Sequence, residues 1–386
     1  MFKRLLSIAL ICVLTMGMGT TAFARESEVH LSMVTVEDIV KNEVDIVLEN
    51  SLVSNEEQWI LLKDMLGTDY AYFVPLLDKD GIIAGYSVVS FIGGGARTLV
   101  TTAGENAVDL ATNVTKTAGN SDAMIYEFPS AFIAKIDGSY FKICINGELE
   151  EIKDTSEYKS TIVSFLSKNV PSSNMTQATT VYGSLTNWDS GKFVPVSVSG
   201  GYYYGGYQGW LTDEGVSKFY ADRSCGVTAA SNMFHYMAKN VSGKSKLYDK
   251  SGITKSNFSS FQKDVYGYIS PAIWGIPTLE TMISRVEAFA SAKGVSLKAT
   301  KSSASWTETN VRTYVGSGLN KQSPVLLLTW NSPIPDLSMH WVTVTRLYNS
   351  GSGVKMVTSN WAEKQIYDFS TWVNGSSLYK GVIYFE

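Results

Sequence analysis

His340-Trp341-Val342-Thr343-Val344-Thr345-Arg346-Leu347 reads as a strand, and Asn349-Ser350-Gly351-Ser352-Gly353 follows it as a turn. Val354-Lys355-Met356-Val357-Thr358-Ser359-Asn360 then returns antiparallel. A five-residue loop pairs Tyr348 with Val354, and hence Val342 with Asn360. Strand side chains alternate, so His340, Val342 and Asn360 share one face. A two-residue slip pairs His340 with Asn360 directly and keeps that face, whereas a one-residue slip does not. Further strands are expected at Val325 to Trp330 and Gly381 to Phe385. Upstream lie helices: one from Cys225, one from Leu279 to Lys293 with Thr278 as N-cap and Gly294 as stop, and one from Glu308 to Gly316. Helices first and strands later predict an α+β fold for this half of the chain.

A chain of 386 residues exceeds one average domain. Tryptophan usage divides it: Trp59 stands alone before Trp188, and seven more follow. The polar stretch around Pro171-Ser172-Ser173-Asn174 reads as a linker, 171–180, between an N-terminal domain, 25–170, and a C-terminal domain, 181–386. Ahead of both, Lys3 and Arg4 precede an apolar run from Leu5 to Met18, and Ala22-Phe23-Ala24 offers a cleavage site. Residues 1–24 therefore read as a secretory signal peptide, too short for a stable membrane span. Cleavage removes two cations and no acid, taking the net charge from -4 to -6. No basic excess points to nucleic acid, and no other apolar run approaches transmembrane length. A secreted, extracellular protein is expected, with attachment to the cell surface as a variant of that location.

The N-terminal domain is expected to begin with helical segments, one running from Glu56-Glu57 through Trp59, Leu61, Leu62 and Met65 to a stop at Gly67. Tyr70 to Leu77 and Ile82 to Phe91 read as a hairpin through Asp78-Lys79-Asp80-Gly81. A helix at Ala107 to Thr117 and three more strands, ending with Ser139 to Asn146, complete an α+β unit. Gly93-Gly94-Gly95 lacks the Lys-Ser/Thr pair of a phosphate loop and reads as a turn. Cys144 reads as an ordinary thiol.

The reactive residues concentrate in the C-terminal half. In Ser224-Cys225-Gly226-Val227-Thr228-Ala229-Ala230, Cys225 opens a helix. Its thiol there meets unpaired N–H groups and the positive end of the helix dipole, both of which favour thiolate. Gly226 lets a substrate approach the backbone. Read alone, Cys225 is as easily a small buried core residue. Only three histidines exist. His30 lies near the expected mature terminus, and His235, ten residues up the same helix, stands roughly 15 Å from Cys225. That leaves His340 as the base. An Asn360 amide oxygen accepting from the imidazole fixes its tautomer and frees the other nitrogen for a thiol; a purely structural His-Asn pair is the alternative. Two mature cysteines and scattered histidines lack the ligand spacing of a metal site, and no cofactor is called for.

These residues resemble the papain-like cysteine peptidases, which present Cys, His and Asn in this chain order. The nearest likeness is to bacterial C39-like peptidases, whose helix starts Cys-Gly-Pro-Thr-Ala. Cys225-Gly226-Val227-Thr228-Ala229 departs from it at Val227. Pro324-Val325-Leu326-Leu327-Leu328 and Met339-His340-Trp341-Val342 are also similar to that group, while Asn360-Trp361 resembles streptopain-like members. The likeness covers about residues 200 to 365. It implies an α+β papain-like catalytic domain, with N-terminal helices and a C-terminal antiparallel sheet, preceded by an α+β propeptide-like domain that covers the active site. It further implies a Cys225-His340-Asn360 triad and a glutamine donor to the oxyanion. Phe219 occupies the usual place of that glutamine, so Gln208 fills the role only if the intervening segment loops away.

The expected activity is hydrolysis of peptide bonds in protein or peptide substrates through an acyl-enzyme, with the chain exported as a zymogen. Two alternatives stand beside it. One is an amidase acting on cell-wall peptides with the same triad; the other is a non-catalytic surface or adhesion module built on the aromatic loop from Tyr202 to Trp210.

Overall fold

Four strands open the described part of the N-terminal half: β1 (Ile60–Lys63), β2 (Asp69–Leu77), β3 (Ile83–Ser90) and β4 (Arg97–Ala103). Helix α1 (Glu105–Ala118) follows, then β5 (Ala123–Glu127), β6 (Ala131–Ile136), β7 (Ser139–Ile143) and β8 (Leu149–Glu151). The C-terminal half begins with β9 (Thr180–Ser184), β10 (Pro195–Val198) and β11 (Gly201–Tyr204). Next come α2 (Lys218–Ala221), α3 (Cys225–Asn240), α4 (Lys255–Tyr266) and α5 (Leu279–Ala292), then β12 (Ala299–Thr300) and α6 (Glu308–Asn320). The chain closes with β13 (Val325–Trp330), β14 (His340–Asn349), β15 (Val354–Asn360), β16 (Glu363–Asp368), α7 (Phe369–Asn374) and β17 (Tyr379–Phe385).

This computed structural model describes residues 40, 54–92, 96–103, 105–127, 131–144, 146–155, 180–198, 201–273, 275–302, 304–332, 334, 337–349 and 353–386. The expected signal peptide, His30, Gly93-Gly94-Gly95 and all of the expected linker except Thr180 lie outside them. Among the described residues the fold is α+β, with seven α-helices and one large, mostly antiparallel sheet. No helix among them is long and apolar enough to cross a membrane.

The sheet runs β12-β17-β13-β14-β15-β16-β4-β3-β2-β1-β5-β6-β7-β8, with β9 beside β14. Only β1 and β5 pair in parallel. One sheet therefore passes through both halves of the chain, joined where β4 pairs with β16 over Val100↔Tyr367 to Ala103↔Lys364. The seam is partly polar. Lys355 and Asp368 form an ion pair at 3.1 Å with both side chains out of solvent, and the Lys355 ammonium also donates to the Thr98 carbonyl of β4 at 3.1 Å. Burial of such a pair is tolerated because the remaining donors are hydrogen-bonded.

The helix expected over Glu56 to Met65 is corrected by the structure. Asn55 Oδ1 accepts from Glu57 N–H and caps a single 3-10 turn, Glu56–Gln58. The chain then runs extended as β1, inserted between β2 and β5. Leu62 is buried while Leu61 is exposed, so cross-strand pairing on both sides overrides the helical spacing. Gly67 takes φ +85° in the turn to β2 instead of ending a helix. The β2–β3 hairpin forms as expected. Asp78 Oδ1 accepts from the N–H groups of Asp80 and Ile82, and Gly81 supplies the left-handed turn residue at φ +77°.

In the C-terminal half helices α2 to α6 precede strands β13 to β17, as the sequence pattern predicts, but β9, β10 and β11 come ahead of them, β12 falls between α5 and α6, and α7 lies between β16 and β17. Thr278 caps α5 by accepting from Thr281 N–H. Helix α3 is buried continuously from Cys225 to Met237 and packs on β14, where Thr343 Oγ1 donates to the Ala229 carbonyl at 3.2 Å. Several elements escape the sequence pattern: β9, the β10–β11 hairpin, α2, α4, β12, α7, and β16, whose six residues Glu363-Lys364-Gln365-Ile366-Tyr367-Asp368 are all buried despite their polarity.

The hairpin register decides what meets His340. At its turn end Asn349 pairs with Val354, one residue away from the expected Tyr348 pairing. A bulge between Val344 and Arg346 then takes up one residue, so that Val344 pairs with Thr358 and Thr343 with Ser359. Continued one step, this register sets Val342 opposite Asn360. Without the extra residue at Thr345, Asn360 would face Thr343 and point away from His340.

Candidate active site

Cys225 is the first residue of α3. Ser224 precedes it without capping the helix, because its hydroxyl donates to the Tyr220 carbonyl at 2.7 Å. The helix start thus takes no acceptor from Ser224, and its first N–H groups meet the Cys225 sulfur instead. The N–H groups of Trp341, Gly226 and Cys225 itself bond the sulfur, which sets the thiol against the backbone of β14 one residue past His340. Gly226 packs closely here: a Cβ would lie 2.5 Å from Ile276 Cδ1 and 3.3 Å from Trp341 Cδ1, so a larger residue would displace them. The glycine therefore leaves room for these side chains at the helix start.

Burial dominates the electrostatics. Cys225 is 6% exposed and His340 8%. Loss of solvent pushes the thiol up to about 11, against the smaller pull of the three N–H groups. The expectation that the helix start favours thiolate is thereby reversed in this covered state, since desolvation penalises the charged form more than the dipole rewards it. The same burial pulls the His340 imidazole down to about 4, opposed by its hydrogen bond to Asn360. At neutral pH the resting pair is a neutral thiol and a neutral imidazole.

His340 Nε2 and Asn360 Oδ1 stand 2.7 Å apart. Asn360 Nδ2 gives its hydrogens to Gln365 Oε1 at 3.0 Å and Tyr367 Oη at 3.1 Å. Oδ1 is therefore the atom turned to the ring, Nε2 carries the ring hydrogen, and Nδ1 is the basic nitrogen. The Trp361 ring lies 5.2 Å from that of His340, at 38°. Trp361 and Ala362 form a two-residue turn between β15 and β16 with φ of +50° and +66°, and Met339, just before His340, has φ +50°. Non-glycine residues in this region are strained, and here they flank the imidazole on both sides.

Gln208 does reach the site. The segment after it turns through a 3-10 helix and α2, and Gln208 Nε2 donates to the Asp222 carbonyl at 2.7 Å. One amide hydrogen is spent on that bond and one is left. The loop carrying it is held by residues that sequence reasoning missed. Asn232 Oδ1 accepts from Gly206 N–H at 2.9 Å, and Asn232 Nδ2 donates to Ser359 Oγ at 3.1 Å. Gly205 fits there at φ +90° because a Cβ would lie 2.3 Å from Ser359 Oγ.

Cys225, His340, Asn360, Gln208, Trp341 and Trp361 line one cavity of about 10 Å³, room for a single water. Gln208 and Trp361 also line an adjoining groove of about 540 Å³, walled by Tyr203, Tyr207 and Trp210 and by the ion pair of Lys255 with Asp213. His235 is elsewhere: it is buried edge-on against Tyr248, and neither ring nitrogen has a partner. Cys144 is half-buried and unbridged. Among the described residues no three His, Cys, Asp or Glu side chains gather to hold a metal ion. No protein-family model matches this chain, and no curated protein matches it either.

Proposed function

We propose that this chain is a papain-like cysteine peptidase with Cys225 as nucleophile, His340 as base, Asn360 as orienting residue and Gln208 as a donor to the oxyanion. The observation that carries the reading is the His340–Asn360 bond with its polarity set so that Nδ1 is basic, on the cavity that also holds the Cys225 thiol. On attack, the thiol proton passes to Nδ1 of His340 and the sulfur bonds the substrate carbonyl carbon. The oxyanion is met by the Cys225 N–H and the second hydrogen of Gln208 Nε2. His340 returns its proton to the leaving amine, giving a thioester, and then takes a proton from the water that releases the acid and restores the thiol. Because thiol and imidazole start neutral, the proton moves during attack rather than before it.

The cavity admits one water and no peptide, which supports a covered state of the site. In this reading the leader 1–24 directs export, and the N-terminal segment is the propeptide of a zymogen. The aromatic groove beside the cavity favours a second reading, an amidase on cell-wall peptides, because aromatic faces stack on sugar rings as well as on side chains. Release of fluorescent peptides from labelled casein, before and after limited proteolysis between residues 155 and 180, tests the proposal. Turnover should disappear in Cys225→Ala. Hydrolysis of purified cell wall but not casein would select the amidase, and activity surviving Cys225→Ala would end both.

A further inference from the structure

The triad's asparagine is itself held from outside the triad. Asn360 Nδ2 donates to Gln365 Oε1 and Tyr367 Oη, the Tyr367 hydroxyl donates in turn to Gln365 Oε1, and Gln365 Nε2 donates to Glu363 Oε2 at 3.4 Å. Thr102 of β4 donates to the same carboxylate oxygen at 3.3 Å. All three holding residues lie on β16 and are buried.

This chain of bonds has only one consistent polarity. A carboxylate accepts and cannot donate, so the Gln365 end facing Glu363 must be Nε2. That turns Gln365 Oε1 towards Asn360, which must answer with Nδ2. The Asn360 oxygen is then the atom left for His340, and the imidazole must present Nε2–H. Were the Asn360 amide to turn over, its N–H would face Nε2, the ring hydrogen would move to Nδ1, and the nitrogen offered to the thiol would no longer be a base.

We infer that Gln365 and Tyr367 are positioning residues of the reaction, with Glu363 anchoring their polarity, and that together they hold the Asn360 amide so that His340 keeps its Nδ1 free. The inference rests on the peptidase reading for its consequence, though the tautomer it dictates exists with or without turnover.

The test uses the full chain carrying Gln365→Leu, which keeps volume and removes both polar ends, and separately Tyr367→Phe, which removes one oxygen and is the milder change should the first fail to fold. On labelled casein, Gln365→Leu should lower kcat about ten- to a hundredfold with KM within about twofold, the size expected for loosening one charge-stabilising hydrogen bond. Tyr367→Phe should do the same to a smaller extent. In an Asn360→Ala background neither change should lower kcat further, because the residue they act through is gone. The ¹⁵N shifts of the His340 ring, assigned by comparison with His340→Ala, should report the Nε2–H form in the unaltered protein and a gain of the Nδ1–H form in Gln365→Leu. Unchanged kcat and unchanged ring shifts in both variants would overturn the inference, as would an equal kcat loss in the Asn360→Ala background. A chain whose turnover survives Cys225→Ala would instead refute the peptidase reading, leaving the ring shifts to decide the tautomer.

Discussion

Cys225 shows how two forces of opposite sign act on one sulfur. The helix start was legible in sequence and so was its pull toward thiolate, but the pull is outweighed by the burial of the sulfur away from water. This gives a measurable order of reactivity. With a thiol at about 11, the thiolate fraction at pH 8 is roughly one in a thousand, so iodoacetamide should modify half-buried Cys144 before Cys225 in the intact chain. The Cys225 rate should rise about tenfold per pH unit until the pH nears 11; peptide mapping after timed labelling at pH 7, 8 and 9 reads both. Fast, pH-independent labelling of Cys225 would mean the sulfur is already ionised. His340 and Asn360 could be picked out because histidines are few and strand alternation is simple. Gln365, Tyr367, Asn232 and Ser359 could not, since each acts through a partner that only the folded chain brings near.

At the scale of elements, periodicity found most of what it could. The α5 cap, the β2–β3 hairpin and the β14–β15 hairpin all follow from residues in contact along the chain. β16 was invisible because Glu363-Lys364-Gln365 looks solvent-facing, and its burial depends on β4, more than 250 residues upstream. The turn before it carries Trp361-Ala362 where a two-residue hairpin loop usually announces itself with Asn-Gly. Helix α3 holds a different kind of secret in His235, whose burial lowers it to about 3 with neither nitrogen bonded. A histidine depressed in the folded state adds stability above its unfolded value near 6.5 and loses it as pH falls toward the folded one. Between pH 6 and about 4, His235 and His340 should each cost about 1.4 kcal/mol per pH unit. His235→Phe should therefore raise the melting temperature at pH 7, by relieving about 1–2 kcal/mol of unsatisfied burial, and soften the acid limb. Differential scanning calorimetry at pH 7 and pH 5 measures both effects; a lower melting temperature at pH 7 would show that the imidazole is bonded after all.

For the whole molecule, composition and tryptophan spacing suggested two units, and the described part of the chain fits one α+β sheet that both halves share. The join is not something sequence could reveal, because strand neighbours so distant in the chain carry no local signature. Its chemistry is nevertheless specific: four residue pairs of backbone ladder between β4 and β16, a buried Lys355–Asp368 pair completed by Thr98, and Thr102 on Glu363. A protein nicked between residues 155 and 180 should therefore elute from a sizing column at the volume of the intact chain, and separate into two peaks only in denaturant. Two peaks under native conditions would show the join too weak to persist.

The mixed character of that join governs the fate of a cut chain. Parting the strands would hydrate Lys355 and Asp368 at little cost, but it would also bare Val100, Ile366 and Tyr367, which are buried along the same two strands. Cutting turns a neighbour tethered at high effective concentration into one that must compete with dilution. How far the two fragments separate is then set by how thinly they are spread, and a concentrated solution would keep them together after the backbone is broken.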